Sequence, residues 1–322
     1  MKHDPPWASL PRIAGAPVLR DAPPGADAAL SDAFDLPGGS ALTVAEVAAD
    51  GTLVAARWRG TGDAVFYPAS TIKWITGALT VGWMAEHGVS PEAVLSVGDR
   101  PAATLRDLLL AMLQASDNDA FNTLHELVGT AETHAALRGW GCPHGIVRRH
   151  FTNPHFTSSP RCVAQRADGS EVVVEARPEV AMPPNTDTRP PPLGNPEQNA
   201  FTTDDFIRVG AATLMGPLRD APAFDVFTCG LSWTVQAYVR AGLARLTASR
   251  PEKPAFAVLN KPGWWPGDGA NSELNWVWDA CRSKHLFVSV YVQGTEAEAE
   301  RGMADAAEAV GAMLLDGVLK LT

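Results

Sequence analysis

The sequence predicts a mixed α/β fold of the α+β type, in which both ends of the chain contribute strands to one sheet. Runs of β-prone residues lie near the start, at 41–49 and 52–58, and again at 255–260, 275–280 and 285–293. Between them, apolar residues recur mostly at helical spacing. This order indicates a sheet split in sequence by an inserted helical region.

A boundary is predicted near residue 38. Residues 1–38 are rich in Pro, Ala, Asp and Gly, and only 26–34 have a helical pattern, so we expect an N-terminal arm. Residues 39–322 are expected to form one catalytic domain. Its predicted parts are a sheet from 39–66 and 250–322 and a helical subdomain from 67–249.

Turn and capping signals define the elements. Asp50-Gly51 between the first two β-prone runs predicts a hairpin. Thr202 followed by Asp204 and Asp205 is typical of a helix start, because Thr caps helices well and acidic residues favour the first turn. The predicted helices are 70–87, 104–114, 119–128, 202–215, 232–241 and 296–319.

Residues 139–200 have many prolines and little periodicity, which predicts a long irregular loop. A short hairpin is expected within it at Asp168-Gly169. Loops of this length are uncommon unless they are functional. The segment is therefore a candidate wall of a binding site.

Composition excludes several classes of function. The net charge is −10 and no block of Lys or Arg is present, which argues against nucleic acid as a partner. The sequence has no run of 18 apolar residues, so no membrane span is predicted. The N-terminus lacks the apolar run of a secretory signal, so the compartment stays open between cytoplasm and export. We expect a monomer that acts on a small molecule without a cofactor.

Ser70 and Lys73 are the first candidate catalytic pair. Residues three apart on a helix share a face, so the hydroxyl and the amine can meet. A serine is a weak nucleophile until a base takes its proton. A lysine that is partly desolvated or lies near other cations can have a pKa low enough to act as that base.

Two further motifs follow. Ser116-Asp117-Asn118 lies between two predicted helices, where a hydroxyl could relay a proton and an amide could hold a substrate carbonyl, although capping alone would explain it. Lys261-Pro262-Gly263 ends a predicted strand, where a cation could attract an anionic substrate, although the motif by itself is a turn.

The order Ser-x-x-Lys, Ser-Asp-Asn, Lys-x-Gly resembles the motif set of class A β-lactamases and penicillin-binding proteins. The similarity covers about residues 40–320 and includes Thr202-Thr203, which resemble the threonine pair after the Ω-loop of class A enzymes. It implies a β-lactamase/transpeptidase-like fold, with an antiparallel five-stranded sheet flanked by helices and an inserted all-helical subdomain.

The resemblance implies a catalytic role for four residues. Ser70 would attack an acyl carbonyl, and Lys73 would be its base or proton relay. Ser116 would pass the proton to the leaving atom, and Lys261 would support Ser116 electrostatically. The reaction would therefore be hydrolysis through an acyl-serine intermediate.

The resemblance also implies substrate-binding residues. Asn118 would orient the amide of the substrate, and Gly263 would let the backbone approach it closely. The backbone N–H groups of Ser70 and Trp264 would form the oxyanion hole. The Trp264-Trp265 stretch that begins there would line the cleft, or else stabilise a loop.

Two departures from the family pattern widen the range of substrates. Class A enzymes carry a Glu-x-x-Leu-Asn motif on the Ω-loop, and nothing between 140 and 200 matches it. Glu273-Leu274-Asn275 lies after the Lys-x-Gly motif and is interpreted as a decoy. The glutamates in the correct stretch are Glu171, Glu175, Glu179 and Glu197, of which Glu197 is the weak candidate for a deacylating base. Pro262 also replaces the usual Thr or Ser and offers no hydroxyl.

These departures leave three functions open. The first is a hydrolase acting on a β-lactam or a related amide or ester, with a carboxylesterase or a D-amino-acid peptidase as alternatives. The second is a penicillin-binding sensor that is acylated without turnover. The third is an inactive scaffold, against which the intact motif residues argue.

The cysteines and histidines of the loop allow two further interpretations. The group consists of Cys142, His144, His150, His155 and Cys162. Its spacing matches no common zinc motif, so no metal is predicted. One or two disulfides among the four cysteines, which include Cys229 and Cys281, are possible if the protein is exported.

Overall fold

The computed structural model describes residues 5–147, 150–151, 157–179, 199–234, 236–250, 255–265 and 270–322. The strands in chain order are β1 (Leu19–Asp21), β2 (Ala41–Val47), β3 (Leu53–Arg57), β4 (Val94–Val97), β5 (Ala103–Thr104), β6 (Ser158–Ser159), β7 (Cys162–Gln165), β8 (Glu171–Val174), β9 (Arg177–Pro178), β10 (Phe256–Trp265), β11 (Ala270–Asp279) and β12 (Lys284–Gln293). The α-helices are α1 (Ala26–Ala33), α2 (Lys73–Glu86), α3 (Leu105–Gln114), α4 (Asn118–Val128), α5 (Thr130–Gly139), α6 (Thr203–Met215), α7 (Phe224–Ser232), α8 (Tyr238–Ser249) and α9 (Glu296–Leu315).

The main sheet combines strands from both ends of the chain, as predicted. Its order is β1-β3-β2-β12-β11-β10. All neighbouring strands are antiparallel except β1 and β3, which are parallel. The hairpin predicted at Asp50-Gly51 is confirmed as β2 and β3.

The expected five strands are corrected to six, because β1 pairs with the outer edge of β3 through Leu19↔Leu53 and Arg20↔Val54. Three residues next to a Pro- and Gly-rich stretch are too few to show a periodicity, so this strand could not be detected in the sequence. The edge of β3 leaves unpaired backbone groups, and pairing them is the physical reason for the added strand. The short helix predicted near 26–34 is present as α1.

The inserted region is not all helical. It also holds a four-stranded sheet in the order β5-β4-β7-β8, which includes the hairpin predicted at Asp168-Gly169, and a two-stranded pair of β6 and β9. The helix predicted over 232–241 is wrong, since α7 ends at Ser232 and α8 begins at Tyr238. Polar and apolar residues alternate through this stretch without a turn residue such as Gly or Pro, so the pattern did not show where one helix stops.

Two apolar clusters hold the layers together. One lies between the sheet and the inserted region and includes Trp74, Phe206 and Phe227. The other lies between the opposite face of the sheet and α8 and α9, and includes Val288 and Met303. The sheet therefore has helices on both faces, and no helix among the described residues is long and apolar enough to cross a membrane.

The last strands are longer than predicted, and this changes the setting of the third motif. Lys261-Pro262-Gly263 lies inside β10 rather than at a turn after it. Pro262 is tolerated because β10 is an edge strand, where a residue without an N–H does least harm. The motif is therefore held on a rigid element at the border of the sheet.

Candidate active site

Ser70 lies on a tight turn directly before a long helix. A 3₁₀-helix covers Ala69–Ile72, and α2 begins at Lys73. Side chains three apart in a 3₁₀-helix eclipse one another, which brings Ser70 and Lys73 to one side. The preceding Ala69 has φ 45°, a left-handed conformation that is uncommon outside glycine. Such strain clusters at functional sites, and Ser70 itself is half-buried.

Lys73 is fully buried and bound by the second motif. Its Nζ donates to the carbonyl oxygen of Ser116 at 2.5 Å and to Oδ1 of Asn118 at 2.6 Å. Oγ of Ser116 lies 3.2 Å from the same atom. The structure therefore brings together these three sequence-predicted residues.

Burial determines the charge of Lys73. Desolvation is the largest cause that lowers the pKa of Lys73 from 10.5 to about 6, and the positive charge of Lys261 lowers it further. Asp117 opposes this effect. Among the described residues no carboxylate hydrogen-bonds to the amine, so Lys73 is largely neutral at pH 7 and can accept a proton.

The Ser-Asp-Asn motif connects α3 to α4 and is strained. Ser116 has φ 57°, which turns the chain sharply and directs both its carbonyl and its hydroxyl to Lys73. Asp117 is the N-cap of α4, where its carboxylate accepts from the amide of Ala120 at 2.7 Å. Capping thus explains Asp117 but leaves Ser116 and Asn118 to face the lysine.

Lys261 reaches the same hydroxyl from the sheet. Its Nζ donates to Oγ of Ser116 at 3.0 Å and to the carbonyl of Pro262 at 3.0 Å. Lys261 is fully buried, and desolvation lowers its pKa to about 7 while the charge of Glu273 raises it. Ser116 therefore lies between two buried amines.

Gly263 allows β10 to touch the serine turn. A Cβ on Gly263 would lie 2.3 Å from the carbonyl oxygen of Pro68 and 2.7 Å from the amide nitrogen of Thr71. These two residues flank Ser70 closely, so any side chain at 263 would push the strand and the turn apart. Trp264 follows on the strand, which places its backbone close to that of Ser70.

A pair of hydroxyls clamps the turn from the next strand. Oγ of Ser272 donates to the carbonyl of Pro68 at 2.8 Å and lies 2.7 Å from Oγ1 of Thr71. Both hydroxyls are buried. Sequence reasoning missed Ser272, because nothing in its local sequence shows that β11 lies beneath the serine turn.

Phe151 was also missed, and it covers the lysine from the loop side. Nζ of Lys73 lies 4.9 Å from the centroid of the Phe151 ring. The backbone amide of Phe151 donates to Oδ1 of Asn122 at 3.0 Å, and its ring packs edge-on against Phe121. The adjacent His150 is buried and bound to Glu126 at 2.9 Å. No sequence pattern relates 151 to Lys73.

The glutamates of the loop have other partners or face solvent. Glu171 and Glu175 are exposed, and Glu175 lies 3.8 Å from Arg161. Glu179 accepts from the hydroxyl of Ser159 and from the amide of Thr130 at 2.9 Å. The candidate deacylating base at position 197 lies outside the described residues.

The remaining candidates are distributed around the site. Trp265 packs edge-on against Tyr67, close to the serine turn, whereas 266–269 lie outside the described residues. All four cysteines are free, so no disulfide joins Cys142 to Cys162. Among the described residues no three His, Cys, Asp or Glu form a group that could hold a metal; His155 lies outside that set.

A split sheet with Ser70, Lys73, Ser116 and Lys261 at one edge is the arrangement of a serine β-lactamase-like hydrolase. A family profile described as a β-lactamase enzyme family matches residues 55–316. The chain belongs to that family. No curated protein matches the sequence.

Solved structures show the same fold. A point mutant of PBP-A, described as an acyl-enzyme complex with penicillin G, is 14% identical with a TM-score of 0.63, over 93% of this chain and 99% of that one. A β-lactamase from Sphaerobacter thermophilus is 18% identical with a TM-score of 0.60, over 92% and 98%. TLA-1 extended-spectrum β-lactamase is 15% identical with a TM-score of 0.64, over 92% and 100%. At such identities the likeness concerns the fold.

Proposed function

We propose that this protein is a serine hydrolase that forms an acyl intermediate on Ser70, with Lys73 as the base. The observation that carries the proposal is the burial of Lys73 against Ser116 and Asn118, which holds its pKa at about 6. An amine that is neutral at pH 7 can take the proton of a serine hydroxyl three residues away.

The hydrogen-bond pattern leaves the lone pair of Lys73 available. A neutral amine has two N–H bonds, and the two short contacts to the Ser116 carbonyl and to Asn118 use both. The lone pair is then available to accept a proton from a hydroxyl. As Oγ of Ser70 bonds to the acyl carbon, its proton moves to Lys73 and the carbonyl electron pair moves onto oxygen.

Collapse of the tetrahedral intermediate completes acylation. The N–H groups of Ser70 and Trp264 stabilise the oxyanion, a contact whose loss typically costs about 10²–10³ in rate. The hydroxyl of Ser116 protonates the leaving nitrogen or oxygen and is itself reprotonated from Lys73. Lys261 stabilises negative charge that develops on Ser116, because its amine lies 3.0 Å from Oγ. The acyl–heteroatom bond breaks, and the serine ester remains.

The proposed substrate is a β-lactam or a related amide or ester. The solved PBP-A structure, a complex with penicillin G, supports this class. Pro262 lacks the hydroxyl that would bind a substrate carboxylate, so recognition of the anion rests on Lys261 and on the open edge of β10. A carboxylesterase or a D-amino-acid peptidase would use the same residues.

One observation favours a second candidate, a penicillin-binding sensor with a long-lived acyl-enzyme. Phe151 covers Lys73 with an apolar ring and is anchored by Asn122 and Phe121. An apolar ring cannot activate a water, so among the described residues around the ring this step falls to Lys73. We expect acylation to be faster than deacylation.

The test is intact-protein mass spectrometry after brief and long exposure to penicillin G, with Ser70→Ala as the control. A serine-dependent adduct that decays with release of product supports turnover. An adduct that persists supports the sensor. Absence of any adduct contradicts β-lactams as substrates, and activated esters and D-alanyl peptides are then assayed against the same control.

Phe151→Ala distinguishes the two candidates once an adduct forms. Removal of the ring opens the space over Lys73 to water, so the adduct should decay faster while its formation changes little. Trp83→Ala is the control, because Trp83 stacks on His87 at the far end of α2. An unchanged lifetime in Phe151→Ala would show that the ring does not limit deacylation.

A further inference from the structure

Glu273 is a fully buried carboxylate that the mechanism above does not use. It lies on β11 opposite Pro262, the residue after Lys261. Successive side chains on a strand point to opposite faces, so Lys261 points to Ser116 while Asn260 and Pro262 face the other side. Glu273 shares that other side, and only the backbone of β10 separates it from the lysine.

Both oxygens of the carboxylate accept hydrogen bonds. Oε1 accepts from Nδ2 of Asn260 at 2.7 Å, and Oε2 accepts from the amide of Val239 at 3.0 Å. Val239 is in the first turn of α8, where the helix dipole favours negative charge. Because both oxygens accept, the ionised form fits this environment better than the protonated form.

Asn260 is itself held firmly. Its Oδ1 accepts from Arg240 and from the hydroxyl of Thr234, both at 2.8 Å, and its Nδ2 also donates to the carbonyl of Gln236 at 3.0 Å. With every polar atom engaged, Asn260 has one orientation. It presents its N–H to Glu273 on the strand position next to Lys261.

A buried anion costs several kcal/mol unless nearby positive charge compensates for it. Arg240 is one such charge, although it bonds to Asn260 and not to the carboxylate. Lys261 is the other, on the far face of its strand. Burial raises the pKa of Glu273 to about 7, while the charge of Glu273 raises the pKa of Lys261 against the larger effect of desolvation.

We propose that Glu273, fixed by Asn260 and by the start of α8, is a positioning residue that keeps Lys261 protonated and directed at Ser116. This inference rests on the proposed function of Lys261. Glu273 acts through the lysine and touches no substrate. The stretch Glu273-Leu274-Asn275 lies on β11, after the Lys-x-Gly motif, so it stays a decoy for the deacylating glutamate while Glu273 contributes a charge behind the site.

Other charged groups face this pair from each neighbouring element. On the side of the inserted region Lys73 faces Lys261, and Asp117 acts on Lys73. Around Glu273, α8 contributes Arg240 and Tyr238, and burial raises the pKa of Tyr238 first, with the charges of Glu300, Glu273 and Glu296 adding to it. Glu296 and Glu300 of α9 are negative, so they cannot compensate for the buried charge of Glu273. Lys261 thus depends on Glu273 for its anionic neighbour.

The experiment is a pH titration of lysine side chains by NMR in protein labelled at the lysine Cε. The chain has only six lysines, and Lys261→Met assigns the resonance. In Glu273→Gln, Lys261 should titrate at lower pH by about one unit, since loss of an opposite charge of this kind moves a pKa by about 1–3 units. Asp205→Asn removes a buried carboxylate of α6 and should leave Lys261 unchanged.

A charge-relocating variant separates electrostatics from structure. The double variant carries both Asn260→Asp and Glu273→Gln. The side-chain N–H of the new amide at position 273 can donate to the new carboxylate at position 260, and its oxygen can accept from the backbone N–H of Val239. The anion therefore returns on the neighbouring strand, and the Lys261 titration should return towards its original pH. The inference would be overturned if the pKa of Lys261 is unchanged in folded Glu273→Gln. It would also be overturned if the double variant lowers that pKa as far as the single variant does.

Acylation rates across pH then connect the charge to the site. If Ser70 is acylated in the parent protein, Glu273→Gln should shift the alkaline limb of the pH–rate profile for acylation to lower pH. The acid limb of the profile should stay unchanged. If Ser70 is never acylated, the proposed function fails, while the NMR titration still decides whether Glu273 sets the charge of Lys261. The two failures are therefore distinguishable.

Discussion

Two buried clusters of charge lie within reach of α4, and they differ in how their cations are paired. At the start of α4, Lys73 and Lys261 meet Ser116, and no carboxylate bonds to either amine among the described residues. Near the end of α4, Glu126 binds Arg100 through both carboxylate oxygens, at 2.5 and 2.6 Å. His150 adds a third contact, to the same carboxylate, at 2.9 Å.

The pairing of each cation with a carboxylate, or the lack of one, gives the two clusters different roles. A cation paired with a carboxylate keeps its charge and holds elements together. Lys73, a buried amine without such a partner, loses its charge, because desolvation disfavours the ionised form. The Arg100–Glu126 cluster therefore anchors the chain at His150 and Phe151, while the lysine cluster provides a base.

The largest expected effect is on the lysine cluster. Lys73→Met should slow acylation of Ser70 by about 10³-fold, because general base catalysis typically contributes about 10²–10⁴. The measurement is the rate of adduct formation by quenched-flow mass spectrometry. Lys284→Met, which removes an ion pair with Glu46, is the control. Equal rates in the two variants would remove Lys73 from the mechanism.

Substitution of Arg100 in the Arg100–Glu126 cluster should lower the free energy of unfolding more than it changes the acylation rate. Arg100→Met leaves the buried carboxylate of Glu126 with His150 as its side-chain partner among the described residues, and breaking a buried pair costs about 3–5 kcal/mol at most. Because Arg100 is one-third exposed, we expect the lower end of that range. Urea unfolding measures it. A variant as stable as the parent would show that the cluster does not anchor the loop.

Gly263→Ala tests the contact between the sheet and the serine turn. The added Cβ would lie 2.3 Å from the carbonyl of Pro68, so strand and turn must separate. Displacement of an oxyanion donor should slow acylation by about 10²-fold. Gly139→Ala, where the new methyl group meets nothing within 4 Å, is the control. The prediction fails if both glycine variants acylate at the parent rate.

The smallest effect is in the pH dependence of stability. Between the folded pKa of Lys73, about 6, and its ordinary 10.5, the unfolded chain holds one more proton than the native protein. The free energy of unfolding therefore rises with pH, by about 1.4 kcal/mol per unit for this group. Below a pH of about 6, Lys73 is protonated in both the native and the unfolded protein, and the cost of burying its charge reduces the free energy of unfolding by its full amount.

Lys73→Met removes this contribution and leaves the other titrating groups in place. The stability of the parent minus that of the variant should increase from pH 7 to pH 8, as measured by urea unfolding at both values. A difference that stays constant would mean that the folded lysine keeps its proton, and the base would then have to be assigned elsewhere.

The sequence by itself determined the split sheet and the first hairpin, and it predicted the motif residues. Asp50-Gly51 defines a turn locally, and Thr202 caps α6 through the amide of Asp205 as predicted. Ser70 with Lys73, and Ser116 with Asn118, are short-range patterns whose geometry follows from helix turns and caps. Local rules suffice where the interacting residues are close in sequence.

Tertiary structure alone decided how the site is charged and shielded. Phe151 reaches Lys73 from 78 positions away, and Ser272 reaches Thr71 from 201 positions away. Glu273 lies behind Lys261 because β11 pairs with β10 in one register. Desolvation depends on every atom packed around a group, so the pKa of a lysine cannot be obtained from its neighbours in sequence.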